Sequence, residues 1–191
     1  MPDGKTHRSV RVDKEGWVMT VPNVVKQVSF TKAVAAGGDN AEDVTDVLSE
    51  STTIGTPWTF ADVARETGGS GYITKAIITT QAESQTARLT LFLFTTPNLT
   101  CVLNDDVLNT APDIADIASY QGKIDFPALE MVATASDSNT MCTPSTVGGL
   151  PLAFTCATGD ASLYGVLVTR DAITTLTATE SVTIALTIEQ M

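Results

Sequence analysis

The pattern that most restricts the fold lies near the end of the chain. Val182, Ile184, Leu186 and Ile188 alternate with Thr183, Ala185, Thr187 and Glu189. A period of two puts every large apolar side chain on one face of a β-strand. The same chemistry recurs upstream. Tyr72–Thr80 (YITKAIITT) is dense in β-branched residues and follows the turn-forming run Gly68-Gly69-Ser70-Gly71. Ala87–Thr95 (ARLTLFLFT) places Leu89, Leu91 and Leu93 on one face and Phe92 and Phe94 on the other. A strand apolar on both faces is expected at the centre of a sheet and covered twice; Pro97-Asn98 ends it. Roughly one residue in six is threonine, whose branched Cβ suits a pleated surface. Lysine and glutamate, which helix-rich chains favour, are scarce. An all-helical fold is excluded, and a hydrophobic content of 43% excludes a disordered chain.

Three regions separate by composition. Residues 1–34 form a basic N-terminal arm: residues 1–32 carry an excess of three positive charges, whereas residues 33–191 hold five basic and nineteen acidic side chains. Extended segments are expected around Arg8–Asp13 and Val24–Phe30, where Val24, Val28 and Phe30 share a face and Lys26 breaks the row. Residues 35–56 (AAGGDNAEDVTDVLSESTTIGT) combine turn chemistry with an aperiodic acidic run and read as an acidic linker or mobile loop. Residues 57–191 form the body. Within it, Trp58–Glu66 fits a short helix capped by Thr59 or a strand equally well. Leu152–Ala157 and Leu163–Arg170, separated by Thr158-Gly159-Asp160, read as a hairpin. Between the strands, Pro112 and the acids Asp113 and Asp116 predict one short helix in a loop, with Ile114, Ile117 and Ala118 on a face and Gly122 at its stop. The expected fold is all-β: an antiparallel β-sandwich, jelly-roll-like, with an extended arm.

Most chemistries fail on the residues themselves. The sole histidine, His7, lies in the arm, so no serine or cysteine of the body has a histidine base. The Gly68–Gly71 run is followed by a strand instead of Lys-Ser/Thr and a helix, which excludes a P-loop. Asp105, Asp106, Asp113 and Asp116 cluster, and Asp105 with Asp106 are the candidate calcium ligands, without the EF-hand pattern; the competing reading is solvated loop acids and caps. Cys101, Cys142 and Cys156 lack CxxC spacing and read as small buried thiols. The sequon Asn98-Leu99-Thr100 follows no signal segment and reads as chance. A formal charge of −11 argues against nucleic acid as a partner, and no apolar run is long enough for a membrane helix. No catalytic residue and no cofactor are expected.

Two stretches carry a resemblance. Leu103–Phe126 (LNDDVLNTAPDIADIASYQGKIDF) and Leu150–Thr174 (LPLAFTCATGDASLYGVLVTRDAIT) resemble virion structural proteins of tailed bacteriophages, of the capsid decoration (cement) type, over roughly residues 57–191. The resemblance implies a non-enzymatic β protein, made in the host bacterial cytoplasm and bound to the capsid exterior. Its partners would be the major capsid protein and other copies of itself, as a homotrimer. Arg8, Arg11, Lys26 and Lys32 are then the candidate capsid or inter-subunit contacts. Deleting residues 1–32 is expected to lower occupancy and leave the body folded. The alternatives are a head-fibre, tail or receptor-binding component, or a carbohydrate-binding module.

Overall fold

A computed structural model describes residues 24–35, 41–82, 84–131, 137–144, 146–173 and 180–191. Eleven strands run through these residues: β1 (Val24–Ala33), β2 (Val47–Leu48), β3 (Trp58–Phe60), β4 (Ser70–Thr80), β5 (Leu89–Phe94), β6 (Tyr120–Phe126), β7 (Glu130–Met131), β8 (Ser138–Cys142), β9 (Leu152–Thr155), β10 (Leu163–Thr169) and β11 (Ser181–Gln190). They form two antiparallel sheets. The first has the order β1-β11-β4-β8-β7, with β9 also on β4; the second has the order β2-β10-β5-β6, with β3 also on β10. β8 takes Ala76–Thr80 of β4 and β9 takes Ser70–Ile73, so these two short strands share one position. β2 and β3 likewise divide β10 between them. Counting each divided position once, and setting aside the two-residue β7 at the edge of the first sheet, leaves four strands per sheet, and the chain crosses between sheets in the order of a jelly roll. The sandwich expectation is met.

Alternation explains the core. Ile73, Ala76, Ile78, Val182, Ile184, Leu186 and Ile188 face inward from the first sheet, and Leu89, Leu91, Leu93, Ile124, Phe126, Leu163 and Leu167 meet them from the second. On β11 half-buried and buried residues alternate over all ten positions, as its sequence dictates. On β4 the phase breaks: the register slips between Thr187 and Ile188 of β11, leaving Thr74 as the extra residue. This bulge lets both Ile73 and Ala76 point inward. All six residues of β5 are buried. The second cover over β5 is the 97–119 connection. Cys101 and Ala111 from that connection bury Phe92, Phe94, Val166 and Val168 on the outward face of the second sheet.

Several expectations are corrected. Val24–Ala33 pairs with β11 along its whole length, so the described part of the basic arm is a sheet strand and not an appendage. Residues 41–56 are no linker: Glu42 exchanges two backbone hydrogen bonds with Ile173, and β2 completes the second sheet. The division at residue 57 therefore cuts through one packed unit. β9 and β10 are not a hairpin, because the Thr158–Asp160 turn carries the chain from one sheet to the other. The predicted helix reduces to a 3₁₀ turn, Ile114–Asp116. Asp113 caps it at Ala115 N, while the Asp116 carboxylate turns away to accept from Thr100 N and Cys101 N. Trp58–Phe60 resolves as strand. Among the described residues no helix is long and apolar enough to cross a membrane.

Candidate functional site

The residues singled out by sequence do not converge. Arg8 and Arg11 lie outside the described residues. Lys26 and Lys32 fall on the same face of β1 as Val28 and Phe30, the face that packs on the sandwich. Lys26 remains half exposed and donates to Asp62 O at 3.0 Å. Lys32 is buried and is withdrawn from any outer contact. Its ammonium pairs with Glu50 at 2.5 Å, donates to Thr56 O, and sits 5.5 Å from the centroid of the Trp58 ring. Burial lowers its pKa against the opposing pull of Glu50. Burial also pushes Glu50 up, but hydrogen bonds from Lys32, Thr56 and Ser49 outweigh it and hold the carboxyl at about 2.

The candidate calcium pair is split by the turn that contains it. Asp105 is fully buried and accepts from Ser49 N at 2.5 Å. Burial pushes its carboxyl up to about 6, the Ser49 bond offsets part of this, and Asp106 and Glu50 add repulsion. Asp106, at φ +55°, points the other way. Its carboxylate groups with those of Glu42 and Asp46, with the ligand oxygens within 4.8 Å of one another. Three carboxylates are the oxygen chemistry that a hard cation takes, but the set differs from the pair read in the sequence.

A concavity lies elsewhere, at the open end of the outward face of the second sheet. Leu89, Leu91, Ile124 and Phe126 point inward, so Arg88 just before β5, Thr90 on β5, Lys123 and Asp125 on β6, and Arg170 just beyond β10 share the opposite face. Thr90 stands directly across from Asp125 and from Val168. Together with Pro127, Thr146 and Val147 these residues line an open cleft of about 710 Å³. Its side chains form a chain of bonds: Lys123 pairs with Asp125 at 2.7 Å, Thr90 donates to Asp125 at 2.7 Å, and Arg170 Nε donates to Thr90 Oγ1 at 2.8 Å. The Arg170 guanidinium lies 5.9 Å from the Phe92 ring centroid. Arg88 grips Asp171 with two bonds, at 2.9 and 2.7 Å. Burial pushes Asp125 up, yet the bonds from Lys123 and Thr90 and the charges of Lys123 and Arg170 hold it below the usual carboxylate range. Asp171 is held down to about 2, chiefly by the Arg88 hydrogen bonds.

Three of the five basic side chains in residues 33–191 line this one cleft. Sequence reading passed over them because they stand far apart in the chain and belong to no motif. The available signal was the alternation Lys123-Ile124-Asp125-Phe126, which sets charge outward on a strand whose other face is core. Chemically the cleft offers hydrogen-bond donors and positive charge to an anionic group, with Asp125 as an acceptor at its floor.

No family model matches the chain, and no curated protein is similar to it. Among solved structures, the cyanophage Pam1 capsid asymmetric unit is similar over 100% of this chain and 100% of that chain, at 14% identity and a TM-score of 0.34.

Proposed function

We propose that this chain is a non-enzymatic virion structural protein that binds and stabilises a tailed-phage capsid shell as a decoration protein. What carries the reading is where the two phage-like stretches fall. Leu103–Phe126 supplies part of the connection over the second sheet and then β6, while Leu150–Thr174 supplies β9 and β10. Ala111 and Tyr120 from the first stretch pack with Val166 and Val168 from the second. Segments distant in sequence thus build one continuous face. The jelly roll is an architecture that capsid domains use, although lectins use it as well, so the fold supports the reading without assigning it.

A decoration protein works by mass action: it binds the assembled shell in preference to free subunits and so raises shell stability. Many copies on a lattice allow each contact to be weak. Arg8 and Arg11 are the arm residues proposed to touch the shell. A truncation that tests them must stop before Val24, because β1 begins there.

The test is titration of purified chain onto shells that lack it, with bound copies counted by cryo-EM. Saturable binding at on the order of hundreds of copies, with a raised shell melting temperature, is the expected result. A dozen or fewer copies, at about one per vertex or tail, overturns the decoration role in favour of a fibre, tail or receptor-binding part. Binding unchanged by removal of residues 1–23 takes the arm out of the reading.

A further inference from the structure

We propose that the cleft formed by Arg88, Lys123 and Arg170 docks an acidic polypeptide segment, and that its occupant is the acidic, apolar edge at residues 43–44 and 106–108 of a second copy of this chain. The inference goes beyond the proposed function, which needs only that the chain bind an assembled shell.

Charge points to an acidic partner. Residues 33–191 carry fourteen more negative than positive side chains, so an acidic surface approaching this body is repelled over most of it. At the cleft, three cations face Asp125 and Asp171, both already held by internal bonds. Lys123 and Arg170 keep donors beyond those bonds, since an ammonium has three and a guanidinium five. A saccharide fits poorly: the one aromatic in the lining, Phe126, is buried on the core side and offers no ring face. A long polyphosphate would meet the acidic body on either side of the cleft.

The second copy supplies the complement. Asp43 is exposed beside Val44, which is 50% exposed, and Leu108, at 64%, lies across from Asp46 through an isolated bridge. Exposed Asp106 adds a second carboxylate. Opposite these, the cleft rim offers Pro127 and a fully exposed Val147. The two surfaces flank the same end of β10. Thr169 binds Thr45 N and Asp43 O on one side, and Arg170 N binds Arg88 O on the other. Complementary patches side by side on one molecule let each association form its contacts more than once.

The experiment is sedimentation velocity on the full chain at about 150 mM salt, where the Debye length of about 8 Å damps repulsion between whole bodies but not contacts. Concentration-dependent association is expected, weakened about 100-fold by Lys123→Glu with Arg170→Glu and about tenfold by Lys123→Gln alone. Mixing the double variant with Asp43→Lys should recover at least about tenfold of the loss. Lys123→Gln serves if the double variant does not fold, as judged by its circular dichroism. A wild type that stays monomeric at about 100 μM, or variants that associate as it does, overturns the docking. Failure of the charge swap to rescue overturns the assigned occupant. Shell titration with Lys123→Gln separates the two readings: shell binding kept while self-association is lost leaves the decoration role standing.

Discussion

Replacing Glu50 with Gln should destabilise the protein more than replacing Lys32 with Met, although both break the same ion pair. The reason is unequal burial: the Lys32 side chain is 4% exposed and that of Glu50 32%. Glu50→Gln leaves an ammonium deep in the sandwich hydrogen-bonded to neutral oxygens of Thr56 and Ser49, with the Asp105 charge acting on it only from a distance. Removing one partner of a buried pair costs about 3–5 kcal/mol. For a chain of this size that lowers Tm by roughly 6–20 °C. Lys32→Met leaves a carboxylate that reaches water and still accepts from Thr56 N, Thr56 Oγ1 and Ser49 Oγ, so about 1–2 kcal/mol is expected. The double variant should be no worse than Glu50→Gln alone, giving a coupling of about 2 kcal/mol. Urea unfolding of all four proteins at pH 7 measures the cycle. The pH dependence is a second check. Glu50 is held at about 2 against an ordinary 4.5, so its contribution is present above pH 4.5 and is lost as pH falls from there towards 2; Glu50→Gln should lack that loss. Equal costs for the two single variants, or a larger cost for Lys32→Met, would refute the assignment of Lys32 as the buried, dependent partner.

Two further outcomes follow from other buried groups. Asp105 is pushed up to about 6 from an ordinary 3.8, so its share of stability is full below pH 3.8 and is lost as pH rises through 6. Asp105→Asn should flatten this slope, which is worth about 3 kcal/mol across the window, in unfolding curves recorded from pH 3.5 to 7; an unchanged slope would place the titration elsewhere. Burial pushes the Cys101 thiol up to about 12 and those of Cys142 and Cys156 to about 11. All three should react with a thiol reagent at pH 8 only as fast as the protein opens, and labelling at the rate of a free thiol would contradict their burial.

How much was legible depends on how far apart the deciding residues stand. Alternation in β11 and the two-faced β5 are local, so their existence and their double cover could be read directly. Lys32 is a case where the signal was present but charge was given more weight than period. Val28, Phe30 and Lys32 share parity, and that parity buries the lysine. Asp105 and Asp106 illustrate the opposite limit, since adjacent residues on a turn can face opposite ways and only the turn geometry decides.

Sequence alone therefore determined that this chain makes strands, which faces of them are apolar, and that its body is acidic. These properties reside in residues one or two positions apart. Tertiary structure decided that β9 and β10 belong to opposite sheets, that Val24–Ala33 is a sheet strand, and that Glu42, Asp46 and Asp106 meet. It also gathered Arg88, Lys123 and Arg170 around one cleft. Each of these depends on which strand pairs with which, and strand pairing is a contact between distant segments that a period-two pattern permits in many arrangements and does not choose among.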